Sequence, residues 1–299
     1  MAQEECPKVV SIACVSFTTT WGDKEANLKK IKRFTEQAAD KGNDLVLFPE
    51  LALTGYDCSE DLAEGGCSMH RELAETIPGP STEEIAKIAK EKGVYVVFGM
   101  PERNPENPEI RHISAAVIGP EGILGAYRKV HLMSSPLTET KCFTPGDSLP
   151  IFETRFGTVG VQICYDFWTF PMLSRVLMLK GARIILNATA SPAGPGKEDF
   201  MVRQTCARGS ENIVYTASAN LTGKDRVTSF FGHSTIAGRG WKISQIYAEG
   251  GPEEGIVSAS VNMELLDKLR QGGSRLEEVD RIDVVIKELE QIQKSKGKS

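Results

Sequence analysis

The chain has 299 residues, 40% hydrophobic and 25% charged, with a formal net charge of −5. That composition suits a folded globular protein with a sizeable core, and its mild acidity excludes an electrostatic footprint for nucleic acid or an anionic membrane surface. No apolar run approaches the roughly 18 residues of a transmembrane helix, and the acidic start Met1–Lys8 lacks the apolar stretch of a secretory signal.

Strand-like and helix-like segments alternate along the chain. Val9–Phe17 is a β-rich run. Asp23–Lys41 places Leu28, Ile31, Phe34 and Ala38 on one helical stripe that Gly42 ends. Leu45–Phe48 reads as a short buried strand stopping at Pro49-Glu50, and Pro78-Gly79-Pro80 marks a turn. Ser81-Thr82-Glu83-Glu84 has the form of a capping box opening a helix to Lys92, and Val94–Met100 is an apolar strand. Ile113–Ile118 and Ile123–Arg128 flank Gly119–Gly122 as a hairpin with a four-residue loop. Thr158–Ile163 runs into Cys164, followed by helices at about Pro171–Lys180 and Glu198–Ser210 around a strand at Arg183–Leu186. Ile213–Ala219, His233–Ala237, Ile243–Ala248 and Gly255–Val261 read as further strands.

No low-complexity linker or internal repeat divides the chain, so one α/β domain over 8–270 is expected, with a helical extension over 271–299. In that extension Val279, Ile282, Ile286 and Leu289 form an apolar stripe, suited to packing on its own subunit or on a partner. Seven cysteines without a signal point to reduced thiols in a cytoplasmic protein; Cys14 and Cys206 read as buried small residues, and Cys58 and Cys67 fall in a loop. No Cys-x-x-Cys pair occurs and the four histidines are scattered, so zinc is not expected.

Glu50, Lys129 and Cys164 stand where strands stop, the place where functional side chains collect in α/β sheets. Their types fit one chemistry. A thiol near pKa 8.5 is mostly protonated at neutral pH, a carboxylate can take its proton, and an ammonium can hold first the thiolate and then an oxyanion. Singly, each residue has a plainer role: a small core residue for Cys164, a cap or surface acid for Glu50, and a solvated strand end for Lys129.

The surrounding words narrow the choice. Phe48-Pro49-Glu50-Leu51-Ala52-Leu53-Thr54-Gly55-Tyr56, Tyr127-Arg128-Lys129-Val130-His131-Leu132 and Gly160-Val161-Gln162-Ile163-Cys164-Tyr165-Asp166 resemble, in order, the three catalytic signatures of the nitrilase superfamily of carbon–nitrogen hydrolases. The resemblance extends through Glu139–Asp147, Ala207–Asn212 and Gly232–Ser234, covering roughly residues 8–262. It implies a four-layer α-β-β-α sandwich, a Glu50–Lys129–Cys164 triad with Glu139 as a second, ordering glutamate, and no cofactor. It also implies a homodimer or larger homo-oligomer acting on a small molecule. Cys164-Tyr165-Asp166 favours amide or N-carbamoyl substrates over nitriles, because true nitrilases resemble Cys-Trp-Glu at this point.

Two segments depart from the family pattern. Phe167–Met172 is one residue longer than usual and carries methionine in place of a glutamate, and Asn187–Gly196 lacks the usual tryptophan. Both are expected to line the substrate pocket. Tyr56, Tyr165, Trp168, Asn187 and Thr189 are the expected substrate-binding residues, with Phe167 and Trp168 either an apolar wall or plain core. Asp166 is expected to make local turn hydrogen bonds, His131 to satisfy a nearby backbone group, and His233 to be structural. The rival readings are a nitrilase sharing the same triad and a non-catalytic binding protein on the same fold.

Overall fold

The computed structural model describes residues 7–57, 67–134, 139–272, 276 and 280–296. Among them are strands β1 (Val9–Ser16), β2 (Leu45–Leu47), β3 (Tyr95–Arg103), β4 (Arg111–Gly119), β5 (Gly122–Arg128), β6 (Ile151–Thr154) and β7 (Gly157–Ile163). They continue as β8 (Ile184–Thr189), β9 (Tyr215–Asn220), β10 (Thr222–Lys224), β11 (Ser229–Phe231), β12 (Thr235–Gly238), β13 (Gln245–Glu249) and β14 (Gly255–Asn262). The helices are α1 (Lys24–Asp40), α2 (Ser68–Leu73), α3 (Pro80–Lys92), α4 (Glu139–Cys142), α5 (Tyr165–Thr169) and α6 (Pro171–Leu179). They are followed by α7 (Lys197–Asn212), α8 (Met263–Gln271) and α9 (Ile282–Lys296).

Two six-stranded sheets, ordered β14-β1-β2-β3-β4-β5 and β13-β12-β9-β8-β7-β6, pack face to face, with α1 and α3 on the first and α6 and α7 on the second. This is the α-β-β-α sandwich. Each sheet has a parallel trio at its centre, β1-β2-β3 in one and β7-β8-β9 in the other, and antiparallel strands outside. The central strands are covered on both faces, so burial runs along them without alternation: all three residues of β2 and residues 159–163 of β7 are buried, polar Gln162 included. A bridge from Phe17 to Leu221 stitches the sheets together just past the ends of β1 and β9.

Helix α1 is capped by the Asp23 carboxylate, which accepts from Ala26 N at 2.9 Å. The start of α3 differs from the expected Ser81 box. Pro80 occupies the first turn, where its missing N–H costs nothing, and Thr82 Oγ1 accepts from Gly79 N at 2.9 Å. Ser81 instead donates from N and Oγ to Glu75, at 2.8 and 2.9 Å. The β4–β5 hairpin closes after Gly119 and restarts at Gly122, so its loop is two residues shorter than expected; Gly122, at φ 125°, takes the turn.

The reduced-thiol expectation fails for two cysteines. Cys67 and Cys142, 75 residues apart, are joined as a disulfide with Cα atoms 5.6 Å apart, inside the bridging range. Packing of α2 beside α4 brings them together, which no spacing in the sequence announces. A bond closing a loop of this length stabilises by about 4 kcal/mol in the chain-entropy description. Cys67→Ser should therefore lower the urea midpoint, and dithiothreitol should lower it in the parent chain but not in the variant. Cys58 and Val279 lie outside the described residues.

At the C-terminal end, Ile282 and Val285 of α9 meet Pro171, Met172 and Val176 of α6 around a shallow cavity, and Arg175 pairs with Asp280 at 3.3 Å. Ile286, Leu289 and Ile292 stay 49–53% exposed, so most of the apolar stripe does not pack on its own subunit. No described helix is long and apolar enough to cross a membrane.

Candidate active site

Three chain reversals bring the strand-end residues together. β2 ends at Leu47, and Pro49-Glu50-Leu51 turns sharply, with Leu51 at φ 51°. Gly99 of β3 makes that turn possible: a Cβ there would lie 2.4 Å from both Pro49 O and Leu51 N. Gly99 N donates to Pro49 O at 3.0 Å, and Leu53 N to Gly99 O at 3.2 Å. Sequence reasoning passed over Gly99; an unpaired glycine inside an apolar strand was the available signal.

Lys129 follows β5 and is fully buried, as is Glu50; Glu139, at the start of α4, is 2% exposed. The Lys129 ammonium lies between the two carboxylates, 2.7 Å from Glu50 Oε1 and 2.7 Å from Glu139 Oε1. The remaining oxygens are also held. Ala190 N donates to Glu50 Oε2 at 3.1 Å, Met133 N donates to Glu139 Oε2 at 2.9 Å, and the Tyr56 hydroxyl donates to Glu139 Oε1. Such burial is tolerable only because every charged atom has a partner.

Cys164 sits between β7 and α5 at φ 47°, ψ −103°, a positive-φ reversal between strand and helix. Its N–H is shared by Asn187 Oδ1 at 2.9 Å and Ala188 O at 3.0 Å. The thiol bonds to the Glu50 carboxylate and receives the Thr189 hydroxyl, whose oxygen in turn accepts from Trp168 Nε1 at 3.3 Å. Asn187 Nδ2 donates to Ser218 Oγ at 3.1 Å. Asn187 and Thr189, fully buried, therefore contact Cys164 and the turn after it, and Tyr56 contacts Glu139. Tyr165 and Trp168 face the cavity, whereas Phe167 is wholly buried core.

Burial pushes the Cys164 thiol up to about 12, reinforced by the charge of Glu50 and only partly opposed by Lys129. Burial also raises Glu50, to about 7, with Lys129 pulling it down and Glu139 pushing it up. For Lys129, burial favours the neutral amine, but the two carboxylates more than offset it and keep the ammonium charged beyond its ordinary range. The resting site is thus a thiol beside a carboxylate of raised proton affinity. Moving the proton from Cys164 to Glu50 leaves the net buried charge unchanged, which is the inexpensive route to a thiolate here.

Asp166 has a wider role than the expected local turn. Its carboxylate accepts from Tyr127 OH at 2.7 Å, Val130 N at 3.0 Å, His131 N at 2.8 Å and His131 Nδ1 at 2.8 Å. It ties the loop after Lys129 to the turn after Cys164. His131 accordingly bonds a carboxylate rather than the expected backbone group, and its ring stacks on Phe170 at 3.5 Å. His233 faces Glu249, with Nδ1 at 3.2 Å. Arg208, which carried no expected role, donates to Phe167 O and Trp168 O at 3.0 and 3.1 Å and anchors the end of α5.

A cavity of about 330 Å³ opens over the Cys164 thiol, lined by Met133, Tyr165, Trp168, Ser191, Pro192 and Lys197. Cys164 lines it while Glu50 and Lys129 lie beneath, so a ligand reaches the charged network by way of the thiol. Among the described residues no group of three or more His, Cys, Asp or Glu side chains is arranged to hold a metal ion.

Comparison with known proteins places this arrangement. The carbon-nitrogen hydrolase family matches residues 11–271. A probable nitrilase of Schizosaccharomyces pombe is 34% identical over 265 residues, covering 87% of this chain and 92% of the relative. An omega-amidase of Xenopus tropicalis is 34% identical over 260 residues, covering 83% and 87%. Among solved structures, a mutant amidase from Nesterenkonia sp. AN1, with the acetamide moiety of fluoroacetamide added covalently at its active-site cysteine, superposes with a TM-score of 0.72 at 26% identity. That superposition covers 90% of this chain and 95% of the amidase. With this match along most of its length, the chain belongs to the carbon-nitrogen hydrolase family, as an enzyme of carbon–nitrogen bond hydrolysis in the nitrilase superfamily.

Proposed function

We propose that the chain hydrolyses small linear amides, or their N-carbamoyl counterparts, through a thioester on Cys164. The observation that carries this reading is the Lys129 ammonium held 2.7 Å from both Glu50 and Glu139 beneath a cavity floored by the thiol. Glu50 accepts the thiol proton as Cys164 Sγ attacks the carbonyl carbon. The oxyanion that forms is held by Lys129 and the Tyr165 N–H. Glu50 returns the proton to the leaving nitrogen, and ammonia or an amine departs. Water then attacks the thioester, giving a proton to Glu50; the carboxylic acid leaves and Cys164 regains its proton. Glu139 keeps Lys129 charged and aimed, with Tyr56 fixing Glu139. Asn187 and Thr189 position the nucleophile, and Tyr165 and Trp168 line the acyl site.

The omega-amidase relative and the covalently labelled cysteine of the neighbouring amidase support an amide substrate and a nucleophilic thiol. A second copy of the chain is the proposed partner, covering apolar residues such as Ile286, Leu289 and Ile292 that are left exposed. The test is ammonia release from matched amides, N-carbamoyl compounds and nitriles, with Cys164→Ala as control. Release confined to nitriles would replace this reading with the nitrilase one. Silence throughout would favour a binding protein.

The pH dependence follows from the base. Glu50 must be ionised to accept the thiol proton, and its affinity is raised to about 7 by burial. kcat/KM should therefore fall as pH drops through about 7, well above the ordinary glutamate value of about 4.3. Removing the charge of Glu139, as in Glu139→Gln, lowers the Glu50 affinity and should move this acid limb to lower pH. A wild-type limb near pH 4 would show that another group is the base.

A further inference from the structure

The disulfide stands next to the charged network. Cys142 is the last residue of α4, whose first residue is Glu139, and Phe143 N donates to Glu139 O at 2.9 Å. On the other side, Cys67 precedes α2, and His70 of that helix bonds Tyr56 O through Nε2 at 3.2 Å and packs its ring on Phe143 at 5.1 Å. Tyr56 closes the circuit by donating its hydroxyl to Glu139 Oε1. A continuous ring of contacts thus runs from Cys67 through His70, Tyr56 and Glu139 to Cys142, and the sulfur–sulfur bond is its covalent link. Among the described residues, Glu139 is otherwise held by Lys129 and the backbone N–H of Met133.

We propose that the Cys67–Cys142 bond is a positioning cross-link for Glu139, so that oxidation completes the amidase site and reduction by a dithiol loosens it. The inference rests on the amidase reading. The step balances simply. A dithiol such as dithiothreitol supplies two electrons and two protons, the sulfur–sulfur bond becomes two thiols, and the reductant becomes its cyclic disulfide. Cys164 is a free thiol and no part of the bond, so its oxidation state is the same before and after the reduction. Once α4 is released, Glu139 no longer shares Lys129 in a fixed geometry. Two consequences follow. The ammonium loses its aim at the oxyanion position, which lowers kcat. Glu50 loses the repulsion of Glu139 and gains more of Lys129, so its proton affinity falls. A cross-link that served stability alone would change the unfolding midpoint and leave both kinetic readouts where they were.

The experiment takes the full chain, oxidised in air, and follows butyramide hydrolysis against pH before and after dithiothreitol. Mass analysis of the 67–142 peptides reports the bond, and circular dichroism confirms folding at the assay temperature. The expected result is a fall in kcat on the order of tenfold to a hundredfold on reduction, as for a small misplacement near reacting groups. KM should change much less, and the acid limb should move to lower pH. Reoxidation should restore both. The Cys67→Ser/Cys142→Ser double variant should show the reduced profile and ignore the reductant. An unchanged kcat and acid limb, with the bond demonstrably broken, overturns the proposal, as does an air-oxidised chain in which Cys67 and Cys142 are both free thiols. If no amide is hydrolysed in either state, the amidase reading fails by itself. The cross-link is then judged by the pH profile of iodoacetamide labelling at Cys164, which reports the same network without turnover; an identical profile in both redox states rejects it.

Discussion

Lys129→Met is expected to lower kcat/KM on amides by at least 10²–10³, the effect of removing one oxyanion donor in acyl-transfer enzymes, and to destabilise the fold by about 3–5 kcal/mol. The two effects share a cause. Methionine fills much of the lysine's volume, so packing is largely kept, but it leaves Glu50 and Glu139 facing each other without a cation in a fully buried site. Glu50, already raised by burial to about 7 against an unfolded value of about 4.3, loses the ammonium that holds it down, so its folded-state proton affinity rises further. A carboxyl whose folded pKa is raised binds more protons in the native than in the unfolded state, so its stability contribution is complete at low pH and is lost as pH rises. The deficit of the variant relative to the parent should therefore be small near pH 4 and grow toward neutrality. Urea denaturation at pH 5 and pH 8 checks the sign. Arginine should not rescue the site, because a planar guanidinium cannot occupy the fully enclosed space of an ammonium bonded to two oxygens at 2.7 Å. A variant with intact turnover would remove Lys129 from the chemistry.

The parts of this site that the sequence displays are those encoded by local pattern. Apolar runs stop at Glu50, Lys129 and Cys164 because β2, β5 and β7 stop there, and a strand end is a one-dimensional event. The layer architecture follows similarly from alternation of strand and helix periods. What the sequence hides is pairing. Asp166 joins residues 35 or more positions away through Tyr127, Val130 and His131, yet its neighbours in the chain suggest only a turn. Gly99 matters through the backbone of Pro49 and Leu51 crossing above it, and a glycine in a strand does not say what approaches it. Cys67 and Cys142 meet because α2 and α4 share a flank of the network, and both helices are too short to produce a periodic signal. Asn187 and Thr189 were placed by sequence at the substrate. They reach from β8 to Cys164, which is decided by which face of a doubly covered strand they occupy. In such a strand both faces are apolar or buried, so alternation gives no clue.

Cys164→Ala and Cys164→Gly should both lose turnover to the background of uncatalysed hydrolysis, since among the described residues no other thiol lines the cavity. They should differ in stability. The backbone at Cys164 has φ 47° and ψ −103°, outside the regions that L residues occupy without strain, and Cys164→Ala retains the Cβ that makes it costly. Strain of this kind costs about 1–3 kcal/mol. Cys164→Gly relieves it but gains unfolded-state freedom worth about 0.5–1 kcal/mol. The balance favours glycine by about 1 kcal/mol, readable as a higher urea midpoint at matched pH. The turn persists in the active chain because it is over-determined. Its N–H is fixed by Asn187 and Ala188, and its carbonyl accepts from both Phe167 N and Trp168 N at 3.0 Å. Those bonds commit the strand-to-helix reversal to the one geometry that lifts the thiol off β7 toward Glu50. A higher midpoint for Cys164→Ala would mean that the turn carries no strain and that the thiol's aim is set by Thr189 and Glu50 alone. A higher midpoint for Cys164→Gly would identify stability given up at the nucleophile for its orientation, the trade expected where a fold holds a reactive group against its backbone preference.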